Sequence, residues 1–381
     1  MEYKTYNIEL RMSDTTRQHW MNLLSETRDA FNRCATLVTS SDIKLGLVPV
    51  HNLCYDTLRT EFPNIPSQGI IRVQKSVLAA LRSIRSNKHK NADTPVKKSL
   101  SLQLDKRMYS NLSINGISLS NGNNHKREKT TFVLYDKVKE LFCTCTFNDP
   151  TIFAKDNRLF LSVPFEVATP PVKGDKTLGI DLGMKRLFVT SDGHYYTDKE
   201  YLKRRRKLRY LKRCLQSKGT RSAKKHLARV KRKERNMSKD MLNRATNALL
   251  ACNASVYVLE DLKKIKYKTS HTKDGFKRIR HNNALSQVPL SGFREMLTHK
   301  ATLAGKQVVS VSPTWTSQMD CRTGKRDGER HGCRYYCSDG IVFDADWNAA
   351  VNIAQRANHP LSVSELPLSG RVRSITQSSK A

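Results

Sequence analysis

Three acidic side chains, far apart in the sequence, each occupy a place where a strand or a helix would present a carboxylate. Asp181 lies inside an apolar strand, and Glu260 ends another apolar strand. Asp346 stands at the start of a helix. A lone Asp at such a place is usually a turn residue or a helix cap. Strands that bury their neighbours make an unpaired carboxylate costly, so we interpret these three residues as ligands of shared cations.

Converging carboxylates would supply the chemistry of phosphodiester cleavage. They can hold two Mg²⁺ ions about 4 Å apart, one for the attacking water and one for the leaving oxygen. The ions matter because the attacked group is already anionic and the transition state adds charge. The sequence therefore predicts a magnesium-dependent site built from Asp181, Glu260 and Asp346.

The elements that must position these residues follow a Pro-containing break at residues 169–174. Apolar and periodic patterns predict strands at 178–190, 194–197, 255–259 and 307–311 and helices at 293–304 and 346–356. A first strand, the end of a middle strand and the start of a last helix are neighbouring places in an RNase H-like fold. We therefore expect an α/β nuclease domain at 173–356 with an insertion at about 316–345. The Ser-rich residues 357–381 are expected to form a mobile tail.

The first part of the chain, about 1–172, has the pattern of a β-rich module with a helical insertion. A strand-like opening is followed by helical periodicity at 13–40 and 66–86. Further strands are predicted at 131–135, 141–147 and 158–167. The expected fold class of the whole chain is therefore multidomain α+β, with a β-barrel-like module preceding the nuclease domain.

The overall charge indicates a polyanionic partner. The 381 residues include 68 Lys and Arg against 34 Asp and Glu, a net charge of +34. A surplus this large repels itself unless a polyanion neutralises it, and nucleic acid is the usual polyanion. No apolar run approaches the length of a membrane span, and the opening residues lack the apolar core of a signal peptide. With nine irregularly spaced cysteines, the sequence favours a cytoplasmic protein without a membrane partner.

The charge is densest in a long helical region predicted at about 199–250. Residues 203–235 contain 17 Lys and Arg and a single acid, Glu234. Like charges destabilise a helix unless phosphates lie along it, so this region is predicted to contact a nucleic-acid backbone. Aromatic residues make up only 7% of the chain, which favours recognition of an A-form duplex by shape over base stacking. The candidate phosphate contacts are Arg204, Arg205, Arg206, Arg209, Lys212 and Arg213.

Three segments resemble, in order, the RuvC motifs of the TnpB family of transposon-encoded RNA-guided nucleases. They are Gly179-Ile180-Asp181-Leu182-Gly183, Leu259-Glu260-Asp261-Leu262 and Asp344-Ala345-Asp346-Trp347-Asn348-Ala349-Ala350-Val351-Asn352-Ile353. With similar stretches at 297–301 and 311–318, the resemblance covers about 177–354. It implies that Asp181, Glu260 and Asp346 are the catalytic residues that bind Mg²⁺. Asp344 and Asp261 then have supporting or structural parts.

The resemblance also implies what such a site would cut. A guide RNA would pair with double-stranded target DNA beside a short flanking motif, and a single RuvC site would cut both strands. The region 1–172 would then be a wedge module with a helical recognition lobe. One alternative is a compact type V CRISPR effector with a CRISPR-derived guide, and another is an RNA-guided repressor that has lost cleavage. An unguided RuvC-like nuclease would not need this much basic surface.

Members of the family usually carry a zinc module of two Cys-x-x-Cys-Gly knuckles between the last strand and the last helix. The matching stretch here is 316–346. Alignment on its glycines puts Asp320 and Thr323 at the first pair of cysteine positions. Tyr336 and Asp339 fall at the second pair. The insertion therefore has the pattern of a degenerate zinc finger.

The cysteines of this stretch do not restore the pattern. Cys321 and Cys337 are each one position out of register, and Cys333 is extra. We therefore expect no structural zinc and a metal-free loop or hairpin. If zinc is bound, Cys321, Cys333 and Cys337 are its ligands, with His331 as a possible fourth.

Overall fold

The computed structural model describes residues 2–86, 94–120, 127–183, 186–262 and 289–357 and a short strand at 373–374. The chain divides into two compact units, Met1–Ala168 and Thr169–Ala381, each with mixed helices and strands. Across the described ranges, no helix is both long and apolar enough to cross a membrane. The tail predicted at 357–381 lies outside the described residues, apart from residue 357 and the short strand.

The first unit is built on one antiparallel sheet of eight strands. Its strands are β1 (Glu2–Arg11), β2 (Ser101–Gln103), β3 (Tyr109–Ser113), β4 (Gly116–Ser120), β5 (Arg127–Val133), β6 (Thr146–Phe147), β7 (Thr151–Lys155) and β8 (Arg158–Val167). The strand order is β2-β7-β8-β1-β5-β4-β3, and β6 pairs with β8. The long strands β1 and β8 pair from Glu2 opposite Val167 to Glu9 opposite Phe160. The two ends of the unit therefore meet in the middle of the sheet.

A helical layer is inserted between β1 and β2, and it contains one helix, Leu47–Glu61, beyond the two that the sequence predicts. Its helices are α1 (Asp14–Thr39), α2 (Leu47–Glu61) and α3 (Ser67–Ser86). Ser13 caps α1, because its hydroxyl accepts a hydrogen bond from the Thr16 backbone N–H at 3.2 Å. Trp20 and Leu24 of α1 are buried in the core of the unit. These contacts stabilise the helices against the sheet.

The strand predicted at 141–147 is wrong. Most of it belongs to helix α4 (Asp136–Thr144), and only β6 is extended. Val138, Leu141, Phe142 and Cys145 recur at helical spacing and face the core of the unit. The helical spacing of apolar residues therefore begins at Val138, three residues before the segment 141–147 that the sequence predicts to be a strand.

The second unit contains a six-stranded mixed sheet and a separate three-stranded sheet. In chain order the strands are β9 (Thr177–Leu182), β10 (Phe188–Thr190), β11 (His194–Tyr196), β12 (Val256–Glu260), β13 (Gln307–Val311), β14 (Glu329–His331), β15 (Arg334–Tyr336), β16 (Val342–Asp344) and β17 (Arg373–Ser374). The larger sheet has the order β13-β12-β9-β10-β11-β17. Strands β9, β10 and β11 are antiparallel neighbours, whereas β12 and β13 run parallel to β9. The single strand predicted at 178–190 is therefore a hairpin of two strands.

In the described part of the second unit there are four helices. They are α5 (Lys199–Lys218), α6 (Arg221–Leu250), α7 (Leu290–Leu303) and α8 (Ala345–Gln355). The one helical region predicted at 199–250 is interrupted by Gly219, whose φ of +65° suits glycine, and by Thr220, which caps α6. Leu215 of α5 and Val230 of α6 are buried in a cluster that joins the two helices. These helices therefore form a helical hairpin.

The three-stranded sheet occupies the predicted insertion at about 316–345. Strands β14, β15 and β16 are antiparallel, and β16 leads directly into α8. The insertion is therefore joined to the helix that carries Asp346.

Candidate active site

Two of the three predicted carboxylates lie side by side at one edge of the larger sheet. Strands β9 and β12 are parallel, and Ile180 lies opposite Leu259. The next residue of each strand is Asp181 or Glu260, so both carboxylates stand at the carboxyl ends of neighbouring strands. Both side chains are partly exposed.

Helix α8 brings the third carboxylate to the same edge. It crosses β9 at Gly179, where a Cβ atom would overlap the Ala350 carbonyl oxygen and lie 2.6 Å from the Ala354 nitrogen. Only glycine permits this close approach. Asp346 stands one helical turn before Ala350, which is about 6 Å along α8. Asp181 stands two residues beyond Gly179, which is also about 6 Å along β9. The crossing therefore places Asp346 close to Asp181.

The charges of the three carboxylates interact. Burial, followed by the negative charges of Glu260 and Asp346, raises the pKa of Asp181 to about 8. Burial also raises the pKa of Glu260, although a hydrogen bond from the Thr316 hydroxyl works against it. The structure therefore brings the three residues that the sequence singled out into one electrostatic cluster.

The two neighbouring acids have structural partners instead. Asp344 caps α8, accepting hydrogen bonds from the Asp346 and Trp347 backbone N–H groups at 3.1 and 3.2 Å. Arg186 donates to the same carboxylate at 2.8 Å. Asp261 pairs with Arg294 at 3.1 Å. These contacts agree with the supporting parts expected for Asp344 and Asp261.

Two arginines at the cluster were not singled out from the sequence. The Arg330 Nη2 atom, on β14, donates to Asp346 Oδ1 at 2.8 Å. Its positive charge also lowers the pKa of Asp181, against the larger effect of burial. Arg186 lies 3.8 Å from the other Asp346 oxygen. In a chain with 68 Lys and Arg, no local pattern distinguishes these two side chains.

Buried side-chain amides on α8 form hydrogen bonds to the first residues of the insertion. Asn348 accepts a hydrogen bond from the Cys321 backbone N–H at 2.9 Å, and its side-chain N–H donates to the Met319 carbonyl at 2.7 Å. Asn352 donates to the Thr316 carbonyl at 2.9 Å. Thr316 in turn donates to Glu260. Helix α8 therefore positions Glu260 through this loop as well as carrying Asp346.

The donor set fits a hard divalent cation. Carboxylate oxygens are the ligands that Mg²⁺ prefers, and the repulsion at Asp181 is of the kind that a cation relieves. Among the described residues, however, no three His, Cys, Asp or Glu side chains are close enough together to share one ion. Arg330 and Arg186 instead balance part of the carboxylate charge at Asp346.

The insertion contains two tight turns. The Gly324 N–H donates to the Asp320 carbonyl at 2.9 Å, and the Gly340 N–H donates to the Cys337 carbonyl at 3.1 Å. Both glycines have positive φ, +69° and +81°. The two turns lie at the positions where the sequence resemblance would place the two pairs of cysteines.

An arginine joins these two turns. The Arg322 Nη2 atom lies 2.8 Å from Asp320 Oδ2 and 2.8 Å from Asp339 Oδ2. Burial works to raise the pKa of Asp320, but its hydrogen bonds with Arg322 outweigh it and lower the pKa. The Arg322 guanidinium also lies 5.2 Å from the centre of the Phe343 ring, next to the cap of α8. An ion pair thus occupies positions where the sequence pattern would place zinc ligands.

The three candidate zinc ligands differ in exposure. Cys333 is exposed, whereas Cys321 and Cys337 are buried. Burial raises the pKa of Cys321 to about 12 and the pKa of Cys337 to about 11, which makes their thiolates harder to form. Zinc binds the thiolate. His331 lies 3.0 Å from Glu329.

The zinc content of the protein is the first testable consequence. Purified protein is expected to hold well under one zinc per chain, and a zinc chelator should leave its melting temperature unchanged. Arg322→Met should instead lower the free energy of unfolding by about 3 kcal/mol, because it leaves the buried Asp320 unpaired. Cys333→Ser, at an exposed position, is the control. One tightly held zinc per chain, measured by elemental analysis, would contradict this account.

The six candidate phosphate contacts of α5 differ in their exposure and in their contacts within the protein. Arg204, Arg206 and Arg213 are exposed, whereas Arg209 is half-buried. Arg205 donates to the Tyr201 hydroxyl at 2.8 Å and lies 3.8 Å from Glu234. Lys212 also donates to Glu234, on α6. Arg205 and Lys212 of α5 therefore stabilise the helical hairpin, because both contact Glu234 of α6.

Two family models match the chain. A family described as "Probable transposase" matches residues 160–270, which include Asp181 and Glu260. A family described as "Cas12f1-like, TNB domain" matches residues 291–353, which include Arg330 and Asp346. The two matches cover the ordered motifs on which the sequence resemblance depends.

Individual relatives agree with these matches. A curated protein of Escherichia coli (strain K12), named "Putative RNA-guided DNA endonuclease InsQ", is 28% identical over 222 residues, which is 54% of this chain and 55% of that protein. The chain thus spans about half the length of this curated relative. A cryo-EM structure of the Cas12f1-sgRNA-target DNA complex matches with a TM-score of 0.60 at 13% identity, over 89% of this chain and 81% of that chain. At this identity the likeness concerns the fold.

Proposed function

Since the chain belongs to the TnpB family, we propose that it is an RNA-guided DNA endonuclease. The observation that carries the proposal is the coupling of Asp181 to Glu260 and Asp346 at one sheet edge. Arg330 and Arg186 balance part of the charge of Asp346, yet the negative charges of Glu260 and Asp346 still contribute to the raised pKa of Asp181. Such perturbed clusters are typical of functional sites.

We propose that the site is of the RuvC type, with cleavage of both DNA strands by the same carboxylates. The topology of the larger sheet supports this assignment. Three antiparallel strands, β9 to β11, are extended by β12 and β13, which run parallel to β9. An RNase H-like sheet would combine its strands in this order and carry its acids at the ends of strands such as β9 and β12, which supports the proposal.

The side chains of the site would divide the work as follows. When bound by Asp181, Glu260 and Asp346, two Mg²⁺ ions would activate the attacking water and stabilise the leaving oxygen. The Thr316 hydroxyl fixes the orientation of Glu260. Arg330 holds a guanidinium beside Asp346, where it would balance the charge that the phosphate gains in the transition state.

The helical hairpin of α5 and α6 is the proposed contact with the guide RNA and the heteroduplex. Its exposed Arg204, Arg206 and Arg213 would bind phosphates, which sets affinity and register without reading sequence. The base sequence would be read by pairing between guide and target. In a prokaryotic cell such a protein would act in the cytoplasm, on the DNA of the nucleoid.

Neutralising the exposed arginines of α5 should weaken RNA binding for every guide sequence alike. The triple variant Arg204→Gln, Arg206→Gln and Arg213→Gln is expected to lower the salt dependence of log K by about one unit of slope per lost phosphate contact. Arg205→Gln is the matched control. It removes a contact within the hairpin, so it should lower the melting temperature while leaving the salt slope unchanged.

Affinity measured against salt concentration separates the possibilities for this surface. An unchanged slope in the triple variant would make the exposed arginines a solvated surface. A loss of affinity confined to one guide sequence would make them base readers. Either result would contradict the proposed phosphate contacts.

The nucleic acid that co-purifies with the full chain tests the proposed function. A discrete RNA species is expected, and its origin would distinguish a transposon-derived guide from a CRISPR-derived one. Since all three carboxylates are present, a protein that binds its target and leaves it uncut in the presence of Mg²⁺ would favour the repressor instead. Absence of any discrete RNA would contradict RNA guidance.

A further inference from the structure

One exposed tryptophan has a backbone conformation that disfavours its own side chain. Trp315 has a φ of +65°, a region that a residue with a Cβ atom rarely adopts. Its side chain is nevertheless 45% exposed, whereas the other two tryptophans, Trp20 and Trp347, are each 1% exposed. Neither burial of the side chain nor a favourable backbone conformation therefore explains why a large aromatic residue occupies this position. Strained, exposed residues of this kind are concentrated at functional sites.

The ring of Trp315 is held by a cation. The Arg326 guanidinium carbon lies 3.5 Å from the centre of the ring, so the cation lies over one face of the ring. Arg326 is itself exposed. Together they form a surface with one aromatic plane and one planar cation, the combination that binds unpaired nucleobases and their phosphates.

This surface is adjacent to the carboxylate cluster. The Trp315 carbonyl accepts a hydrogen bond from the Gln318 N–H at 3.0 Å, so the chain turns here. Within that turn Trp315 points outward, while the next residue, Thr316, is buried and donates to Glu260. A base stacked on Trp315 would therefore lie beside the residues that hold the reacting phosphate.

We propose that Trp315 and Arg326 form a stacking subsite for an unpaired nucleobase of the DNA strand being cut. The inference rests on the proposed nuclease function and adds a ligand contact to that site. Bases inside a duplex have both faces covered by their stacked neighbours, so the subsite would select a strand that has already been separated from its partner. A protein partner would also bind an exposed aromatic residue, but the net charge of +34 and the neighbouring carboxylate cluster favour nucleic acid.

Two substitutions separate stacking from a backbone role. Trp315→Phe keeps an aromatic ring and should retain most of the affinity. Trp315→Gly removes the ring while relieving the positive φ, so the protein should fold at least as well. Loss of one stacked base is expected to raise KM for target DNA about tenfold in Trp315→Gly, with kcat changed less than about twofold.

Fluorescence gives a readout that is independent of cleavage. In full-length protein carrying Asp346→Asn, short single-stranded oligothymidine should quench tryptophan emission, because only Trp315 among the three tryptophans is exposed. The quenching should disappear when Trp315→Phe is added. Equal quenching with and without Trp315, or an unchanged KM in Trp315→Gly, would overturn the subsite. If wild-type protein with its RNA cuts no DNA while quenching persists, the proposed nuclease function fails and the base-binding subsite stands.

Discussion

Replacing any one of the three clustered carboxylates by its amide is expected to lower DNA cleavage at least about a thousandfold. Asp181→Asn, Glu260→Gln and Asp346→Asn each remove one carboxyl group, and with it one potential cation ligand, from a cluster whose members interact electrostatically. The charge is needed where a cation has to be held beside an anionic phosphate. Affinity for guide and target should change little, because it comes from cations dispersed over the basic surface.

Stability measurements give these variants a second readout. Asp181 has a raised pKa of about 8, so in metal-free protein its contribution to stability declines as the pH rises from about 4 to about 8. Asp181→Asn should abolish this decline. It should also abolish the rise in melting temperature that Mg²⁺ causes in the wild-type protein.

Asp344→Asn is the matched control for the carboxylates. Asn caps a helix nearly as well as Asp, so α8 should remain in place and most of the cleavage should survive. If Asp344→Asn abolished cleavage while Asp346→Asn cut normally, the assignment within this Asp-x-Asp pair would be wrong.

Arg330→Ala is expected to have the next largest effect, a loss of about a hundredfold in the cleavage rate. Its guanidinium is the positive group hydrogen-bonded to Asp346, and it approaches the cluster from the insertion. Arg330→Lys should recover only part of the rate, because a single ammonium cannot present two parallel donors. Target binding should be unchanged, which separates this effect from a loss of affinity.

Arg334 provides the control for Arg330. It is exposed on the neighbouring strand β15, and its substitution by Ala removes the same charge from the same small sheet. If Arg330→Ala and Arg334→Ala cut at the same rate, Arg330 would only balance the charge of Asp346 and would have no part in stabilising the transition state.

The carboxylates were predictable because each signal is local. An apolar strand that ends in an acid, or an acid at a helix start, can be recognised within ten residues. Arg330 carries no such signal, since its contact with Asp346 depends on how β14 pairs within the insertion. The part of the site that was missed is the part set by tertiary packing.

The fold likewise has features that local sequence signals predict and features that depend on tertiary packing. Gly219 and Thr220 carry the ordinary signals of a helix end and a helix start, so the break between α5 and α6 was readable in the sequence. The helix α4 was missed because the residues from Cys143 to Thr146 alternate locally, and the burial of Val138 is what reveals the helical period. The ion pair of Arg322 with Asp320 and Asp339 joins two turns that sequence spacing alone does not connect.

Reprogramming the guide tests the central claim most directly. The RNA that co-purifies with the wild-type chain would be sequenced, its guide segment exchanged, and the complex incubated with Mg²⁺ and plasmids that carry either the old or the new complementary site. The account predicts double-strand cleavage that moves to the new site and disappears in Asp346→Asn. Cleavage that stays at the old site, or that proceeds equally well without the RNA, would contradict it.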